Sequence, residues 1–281
     1  MLRHPCFNAE ARHRWGRIHL PVAPDCNIRC AYCDRRSDCV NESRPGVSSS
    51  IMSPRQASIH LAEALAARTD ISVAGIAGPG DPMACPELTL ETLRLIRPLQ
   101  LEACLSTNGL NLCEYVPALK RLGVRHVTLT INAVDPVIGK DIYLGVNYSG
   151  RYYRGRAGAE LLLKRQIQAL EALKLNGFIV KVNTVVIPGL NDGHVKEVAR
   201  FAAFYGADLM NCLALIPIPG TVLGSKVKPD EALMAKVRGE AEFFVRQMRH
   251  CARCRADALG LLPPTEFIRP GVEPQVKNFY S

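Results

Sequence analysis

The sequence predicts an α/β fold, a partial, TIM-like (β/α)6 barrel open on one side. Three observations carry this. Short apolar segments of strand length alternate with segments of helical periodicity. The alternation runs six times, and repeated βα units imply a parallel sheet with right-handed crossovers. Turn-forming Gly, Pro and Asn residues follow the apolar segments. Six units are too few for a full eight-fold barrel, and a flat doubly wound sheet is the alternative. In either case function belongs at the C-terminal ends of the strands.

The elements follow in order. RIHLPVA (17–23) reads as the first strand, ahead of a cysteine-rich loop. Ser53-Pro54, a cap and a first-turn proline, opens a helix to about Thr69. ISVAGIA (71–77) is a buried strand, ended by the turn Gly78-Pro79-Gly80-Asp81. A helix over 88–98 leads to the strand 103–107 and the turn Asn108-Gly109, and a helix over 112–122 leads to the strand 126–132. A Tyr-, Gly- and Arg-rich stretch (141–156) reads as a long loop. A helix over 157–175, a strand over 178–186 and the turn Pro188-Gly189 come next. Asp192 is expected to cap the helix running to about Tyr205. DLMNCLALI (208–216) is the last strand, and a helix over 230–249 delivers the chain to Cys251, with His250 at its C-terminus. The tail after Gly260 reads as irregular, and no internal repeat or low-complexity linker is visible. The expectation is one domain over 1–281: an N-terminal extension (1–16), the barrel core (17–217) and a C-terminal extension (218–281).

A chain of 281 residues with 48% hydrophobic content can bury one large core or two small ones. No apolar run approaches the ~18 residues of a membrane span, and the N-terminal segment lacks the apolar region of a secretory signal. The expectation is therefore a cytoplasmic protein with no membrane partner. There, 11 cysteines point to metal or redox chemistry rather than disulfides. The net charge of +9 is scattered, with no Lys/Arg block. It fits an anionic small substrate, a cluster or an acidic partner, or a solvated basic surface. No nucleic-acid partner is expected.

Cys26, Cys30 and Cys33 are spaced C-x-x-x-C-x-x-C directly after the first strand. A four-iron cubane explains an odd number of thiolates: three hold three irons, and the fourth iron stays open for a ligand. A zinc site from two C-x-x-C pairs, Cys30-Cys33 and Cys251-Cys254, is the alternative, and it leaves Cys26 unexplained. With Tyr32 at the aromatic position, the motif resembles the radical S-adenosylmethionine (SAM) family. The resemblance implies that the amino and carboxylate groups of SAM chelate the open iron. Electron transfer then cleaves a C–S bond and yields the 5′-deoxyadenosyl radical. It also implies that Gly78, Gly80 and Asp81 meet the methionyl amine, that Ser106 and Asn132 bond the ribose or carboxylate, and that the backbone around Ile187 lines the adenine. A satisfied turn or strand end explains each of these as well.

RIHLPVAPDCNIRCAYCDRR, DCVNESRPGV (38–47), AGPGDP (77–82), CLSTNGL (104–110), LIPIPGT (215–221) and CARCRADALGLL (251–262) together resemble, within radical SAM enzymes, the NifB family of nitrogenase cofactor maturases. The resemblance implies three [4Fe–4S] clusters, two of which fuse into an eight-iron core around a carbide taken from the SAM methyl group. One SAM donates a methyl group to a cluster sulfide, and a second supplies the radical that abstracts hydrogen from it. The matching positions give Cys39, Cys251 and Cys254 to one further cluster and Cys6, His19 and Cys104 to the other. Read alone, His19 fits a hydrogen-bonded core histidine, although strand alternation puts it on one face with Arg17. Glu42 and Arg44 are candidates for a transient iron ligand and a charge partner of an anionic cluster, or equally for a loop ion pair. Cys85, Cys113 and Cys212 read as small buried hydrophobes. Many family members carry a further C-terminal carrier-like domain, and this chain resembles the short form without it. Implied partners are SAM, iron–sulfur cluster donors and a scaffold or carrier protein of the nitrogenase pathway. The alternatives are another radical SAM enzyme with auxiliary clusters, for peptide modification or small-cofactor synthesis, and a zinc-stabilised nucleic-acid-binding module.

Overall fold

A computed structural model describes residues 3–262, so the expected irregular tail lies, from 263 onward, outside the described residues. The first strand, β1 (Gly16–His19), is shorter than the sequence suggests, because Pro21 has no N–H to extend the ladder. β2 (Ile28–Cys30) lies inside the cysteine loop. The helix α1 (Pro54–Ala67) starts on a complete capping box between Ser53 and Gln56. β3 (Ile71–Ile76), α2 (Pro86–Ile96) and β4 (Glu102–Thr107) follow, then α3 (Val116–Arg121) and β5 (Val124–Thr130).

The expected loop 141–156 is a correction. It holds the end of α4 (Pro136–Ile142) and a hairpin of β6 (Tyr143–Tyr148) and β7 (Arg151–Tyr153). Ser149 and Gly150 both take positive φ, 50° and 73°, as a two-residue hairpin turn requires. This hairpin pairs with β2, Cys30 opposite Tyr143, and so gives the cysteine loop a three-stranded antiparallel support.

α5 (Gly155–Leu175) and β8 (Ile179–Val186) match expectation closely. α6 (Val195–Phe204) is not capped by Asp192, whose carboxylate accepts the Gly189 N–H at 2.9 Å and closes the turn instead. After β9 (Leu209–Ala214), α7 (Glu231–Glu242) opens on an Asp230 cap but ends seven residues early. Residues 246–248 then run beside β9 through backbone bonds to Met210. His250 is therefore not at a helix terminus, and its Nε2 lies 2.9 Å from the Pro5 carbonyl. β10 (Leu259–Gly260) returns antiparallel to β1.

The large sheet runs β10-β1-β3-β4-β5-β8-β9. Six strands are parallel and follow chain order without reversal, which rules out the doubly wound alternative, whose order reverses at a switch point. The result is a half-barrel. Its outer face buries Ile18, Ala74, Leu105, Val127, Val182 and Met210 under the helices. The alternate residues face inward, and most of those are polar. Phe7, Leu209 and Met248 plug the end where the strands begin. A second apolar cluster, with Tyr32, Ile142 and Leu215, packs the mouth.

The turn after β3 clamps the cysteine loop. Gly80 N–H donates to the Ala23 carbonyl and Asp81 N–H to the Asp25 carbonyl, both at 2.7 Å. A Cβ on Gly80 would stand 2.0 Å from the Asp25 oxygen. Gly80→Ala should therefore force the two segments apart and destabilise the chain by about 1–3 kcal/mol, read from urea unfolding. An unchanged midpoint would show that the clamp yields freely.

Candidate functional site

The cysteine loop sits over the mouth of the half-barrel. Cys26, Cys30, Cys33 and Cys39 line one pocket, beside Glu42, Gly80, Asp81 and Ser106. The Cys33 N–H donates to the Cys30 carbonyl at 3.2 Å and turns the loop. Tyr32 is fully buried. Its hydroxyl donates to Asn41 Oδ1 and accepts from Asn132 Nδ2, each at 2.6 Å, so it pins the loop to the end of β5. Burial pushes the Cys26 thiol up to about 12, with Asp81 adding to the effect. Burial and neighbouring thiols raise Cys30 and Cys39 as well. These thiols keep their protons until a metal displaces them.

Several expected SAM contacts have structural partners. Asp81 accepts from Met83 N–H, Thr107 Oγ1 and Asn108 N–H, which ties the turns after β3 and β4 together. The Asn132 amide is committed to Tyr32 and to the Val185 N–H. The Ile187 N–H donates to Asn191 Oδ1. Gly78 takes φ +148°, a region that favours glycine.

Below the pocket lies the lumen. Strand register aligns His19, Gly75, Cys104 and His126 in one row across β1, β3, β4 and β5. Gly75 leaves a gap in that row: a Cβ there would be 3.0 Å from Cys104 Sγ and 3.1 Å from His19 Cδ2. His19 Nδ1 lies 3.0 Å from the Arg255 carbonyl, so this nitrogen carries the proton and Nε2 keeps a free lone pair on the Gly75 side. Burial, with Arg17 nearby, lowers the His19 pKa to about 4, which keeps the ring neutral. Glu42 hangs at the junction of pocket and lumen, held by Thr130 Oγ1 at 3.1 Å and Asn183 Nδ2 at 3.0 Å. Burial raises its carboxyl above the ordinary range.

The remaining ligand candidates arrive from both chain ends. Cys6 and Cys251 pack at the Phe7–Met248 plug. Arg17 Nη2 donates to Cys254 Sγ at 2.9 Å. The Arg44 N–H donates to the Cys254 carbonyl, which docks the Cys39 loop on the CARC segment. Cys212 is buried in the outer core, while Cys85 and Cys113 are half-buried and outside the pocket.

Comparison with known proteins sets this arrangement in a family. The model of the Radical SAM superfamily matches residues 20–202. The chain belongs to that superfamily. It is 53% identical over 261 residues to the FeMo cofactor biosynthesis protein NifB of Chlorobaculum tepidum, covering 92% of this chain and 62% of that protein. It is 45% identical to the NifB of Klebsiella pneumoniae, covering 92% and 57%. The chain thus spans about three-fifths of the length of these relatives. Among solved structures, Streptococcus suis SuiB bound to S-adenosylmethionine superposes with a TM-score of 0.59 at 14% identity, over 82% of this chain and 46% of that one. That likeness concerns the radical SAM fold.

The donor set fits the iron–sulfur chemistry of the radical SAM superfamily. Among the described residues, no three His, Cys, Asp or Glu side chains could hold a single metal ion. A four-iron cluster needs one thiolate at each of several separate corners, and a pocket lined by four cysteines supplies them. The lumen adds buried polar atoms with no protein partner, among them His4 Nε2, Arg17 Nε, Asn183 Oδ1 and Asn211 Oδ1. Such atoms are rare in finished interiors and mark room for a polar occupant. Among the described residues no helix is long and apolar enough to cross a membrane. Reading the sequence took Asn108 only as a turn residue and passed over Lys181, which is buried on β8. A lone lysine inside FIVKVNTVV was the visible signal for one of them.

The lumen histidines, His4 and His126 buried and His19 half-buried, give a pH dependence. Burial lowers the pKa of His4, and lowers His19 and His126 to about 4 from the 6.5 of an unfolded chain. As pH falls below 6.5, the unfolded chain binds protons that the folded lumen refuses, so stability drops; above 6.5 this contribution is flat. The urea midpoint of iron-free protein should fall steadily between pH 6.5 and pH 4. A midpoint that stays level across that window contradicts neutral burial of these rings.

Proposed function

We propose that this chain is the catalytic domain of a nitrogenase cofactor maturase of the NifB kind. It joins two [4Fe–4S] substrates into the carbide-centred eight-iron precursor of the nitrogenase cofactor, with the carbide drawn from the SAM methyl group. One observation carries the reading: a donor row with a gap at Gly75 lies beneath a three-cysteine loop, in a chain 53% identical to a NifB protein.

In this reading Cys26, Cys30 and Cys33 hold the resident cluster and leave one iron for SAM. When bound, that cluster supplies the electron that cleaves SAM. Tyr32 and the Gly80–Asp81 clamp keep the loop over the mouth. Cys39, Cys251 and Cys254 hold one substrate cluster, and Cys6, Cys104 and His19 hold the other. A neutral imidazole is a more releasable ligand than a thiolate, which suits a cluster that must be consumed. Glu42, buried between the two chambers, takes or returns a proton, or steadies an exposed iron, as the clusters join. Cluster donors and a downstream carrier are the partners this chemistry requires.

Two tests separate these roles. Changing both Cys251 and Cys254 to alanine should lower anaerobic iron content by about one four-iron cluster of three and leave SAM cleavage intact. Unchanged iron would remove both residues from the ligand set. His19→Ala should abolish a nitrogen coupling seen by pulsed EPR and stop formation of the fused core, while 5′-deoxyadenosine production survives. A variant that still builds the fused core at the wild-type rate makes His19 a packing residue.

A further inference from the structure

Lys181 stands in the middle of β8, flanked by Val180 and Val182, which face the outer core. Its own side chain turns inward and is 6% exposed. Nζ lies 3.8 Å from Met248 Sδ and 5.0 Å from the centre of the Phe7 ring. No ion pair among the described residues includes Lys181 or the equally inward Arg17, which is 4% exposed. A thioether and a ring face are weak partners for a buried ammonium, and an uncompensated buried charge costs several kcal/mol. Glu42, the carboxylate that its charge reaches, is held elsewhere by Thr130 and by Asn183, two residues further along β8.

The chamber around Lys181 shows where the compensation comes from. Burial pushes the thiols of Cys6 and Cys104 up, and the charge of Lys181 draws both back down. Strand register sets Lys181 beside Thr128 on the inward face, the face that also carries Cys104 and His126, and its charge reaches His19 and His126. Arg17 and Lys181 stand on the chamber's walls without an ion pair among the described residues, and the carboxylates nearest it are engaged elsewhere, Glu42 by Thr130 and Asn183 and Glu102 with His126 at 3.5 Å. A thiolate-bound iron–sulfur cluster, whose sulfides and thiolates carry net negative charge, supplies what is missing.

We propose that Lys181 is a positioning residue, the internal counter-charge that retains the anionic cluster held by Cys6, His19 and Cys104 and raises its reduction potential. This rests on the ligand assignment given under Proposed function.

The test uses the full chain, loaded anaerobically, as wild type, Lys181→Met and Lys181→Arg. Iron release to an Fe(II) chelator and EPR-monitored redox titration read each cluster. In Lys181→Met the nitrogen-coupled cluster should be lost about tenfold faster, and its potential should fall. Lys181→Arg should restore both, and the cluster of Cys26, Cys30 and Cys33 should not change. Iron-free Lys181→Met should melt no lower than wild type, because an apolar side chain replaces a buried charge. A lower melting temperature of the iron-free variant, or release of all clusters together, makes Lys181 structural and overturns the proposal. So does a nitrogen-coupled cluster whose release and potential are unaffected by Lys181→Met, which leaves the ligand assignment standing. Wild-type protein with no nitrogen-coupled cluster overturns the ligand assignment, and this proposal with it.

Discussion

Each strand of the half-barrel has two faces, and only the outer one is sealed by packing. Ile18, Leu105, Val127, Val182 and Met210 lie under the helices. Every second residue is thereby committed to the other side, where the sequence supplies Arg17, His19, Cys104, Ser106, Thr128, Lys181 and Asn183. A lumen of this composition cannot close on itself as a dry core does, because its donors and acceptors outnumber their mutual partners. The apolar plug at Phe7 and the packed mouth at Tyr32 confine that polarity to a chamber.

The loop over the mouth is held by contacts from four directions. β6 pairs with β2 below Cys30, the turn after β3 clamps Ala23 and Asp25, Tyr32 reaches Asn132, and Arg44 reaches the Cys254 carbonyl. Pairing, clamp and hydroxyl bridge fix the backbone, and the thiols of Cys26 and Cys39 take long side-chain amide contacts, from Asn108 Nδ2 at 3.9 Å and Asn41 Nδ2 at 3.7 Å. That division suits a ligand set whose geometry must be ready before the cluster arrives.

The fold was legible where period and turn chemistry agreed. β3, β8 and α5 have uninterrupted patterns and clear stops, and the Ser53 cap with Pro54 behind it announced α1. The β6–β7 hairpin was hidden because its tyrosines, glycines and arginines read as loop, although Ser149-Gly150 between Tyr148 and Arg151 is a hairpin turn. The early end of α7 was hidden too, since nothing in AEFFVRQM breaks a helix and tertiary pairing with Met210 decides the matter. In the site, the three-cysteine spacing and the inward face of Arg17 and His19 were visible locally. Lys181 showed only as a lone charge in an apolar strand, and its role, like the contacts of Asn108 and the gap at Gly75, comes from the pairing of segments remote in sequence.

The plug joins the two ends of the described chain. Cys6 and Cys251 share one apolar patch, His250 meets the Pro5 carbonyl, and β10 lies on β1. The chamber is therefore a product of the most non-local contacts in the molecule, the kind that form late because their loop-closure entropy is largest. A nascent chain has its barrel strands well before it has a lumen. Anything bound across that lumen binds only the finished topology, and by mass action it holds both ends down at once. Occupancy of the lumen and docking of the two chain ends are thermodynamically linked, each favouring the other.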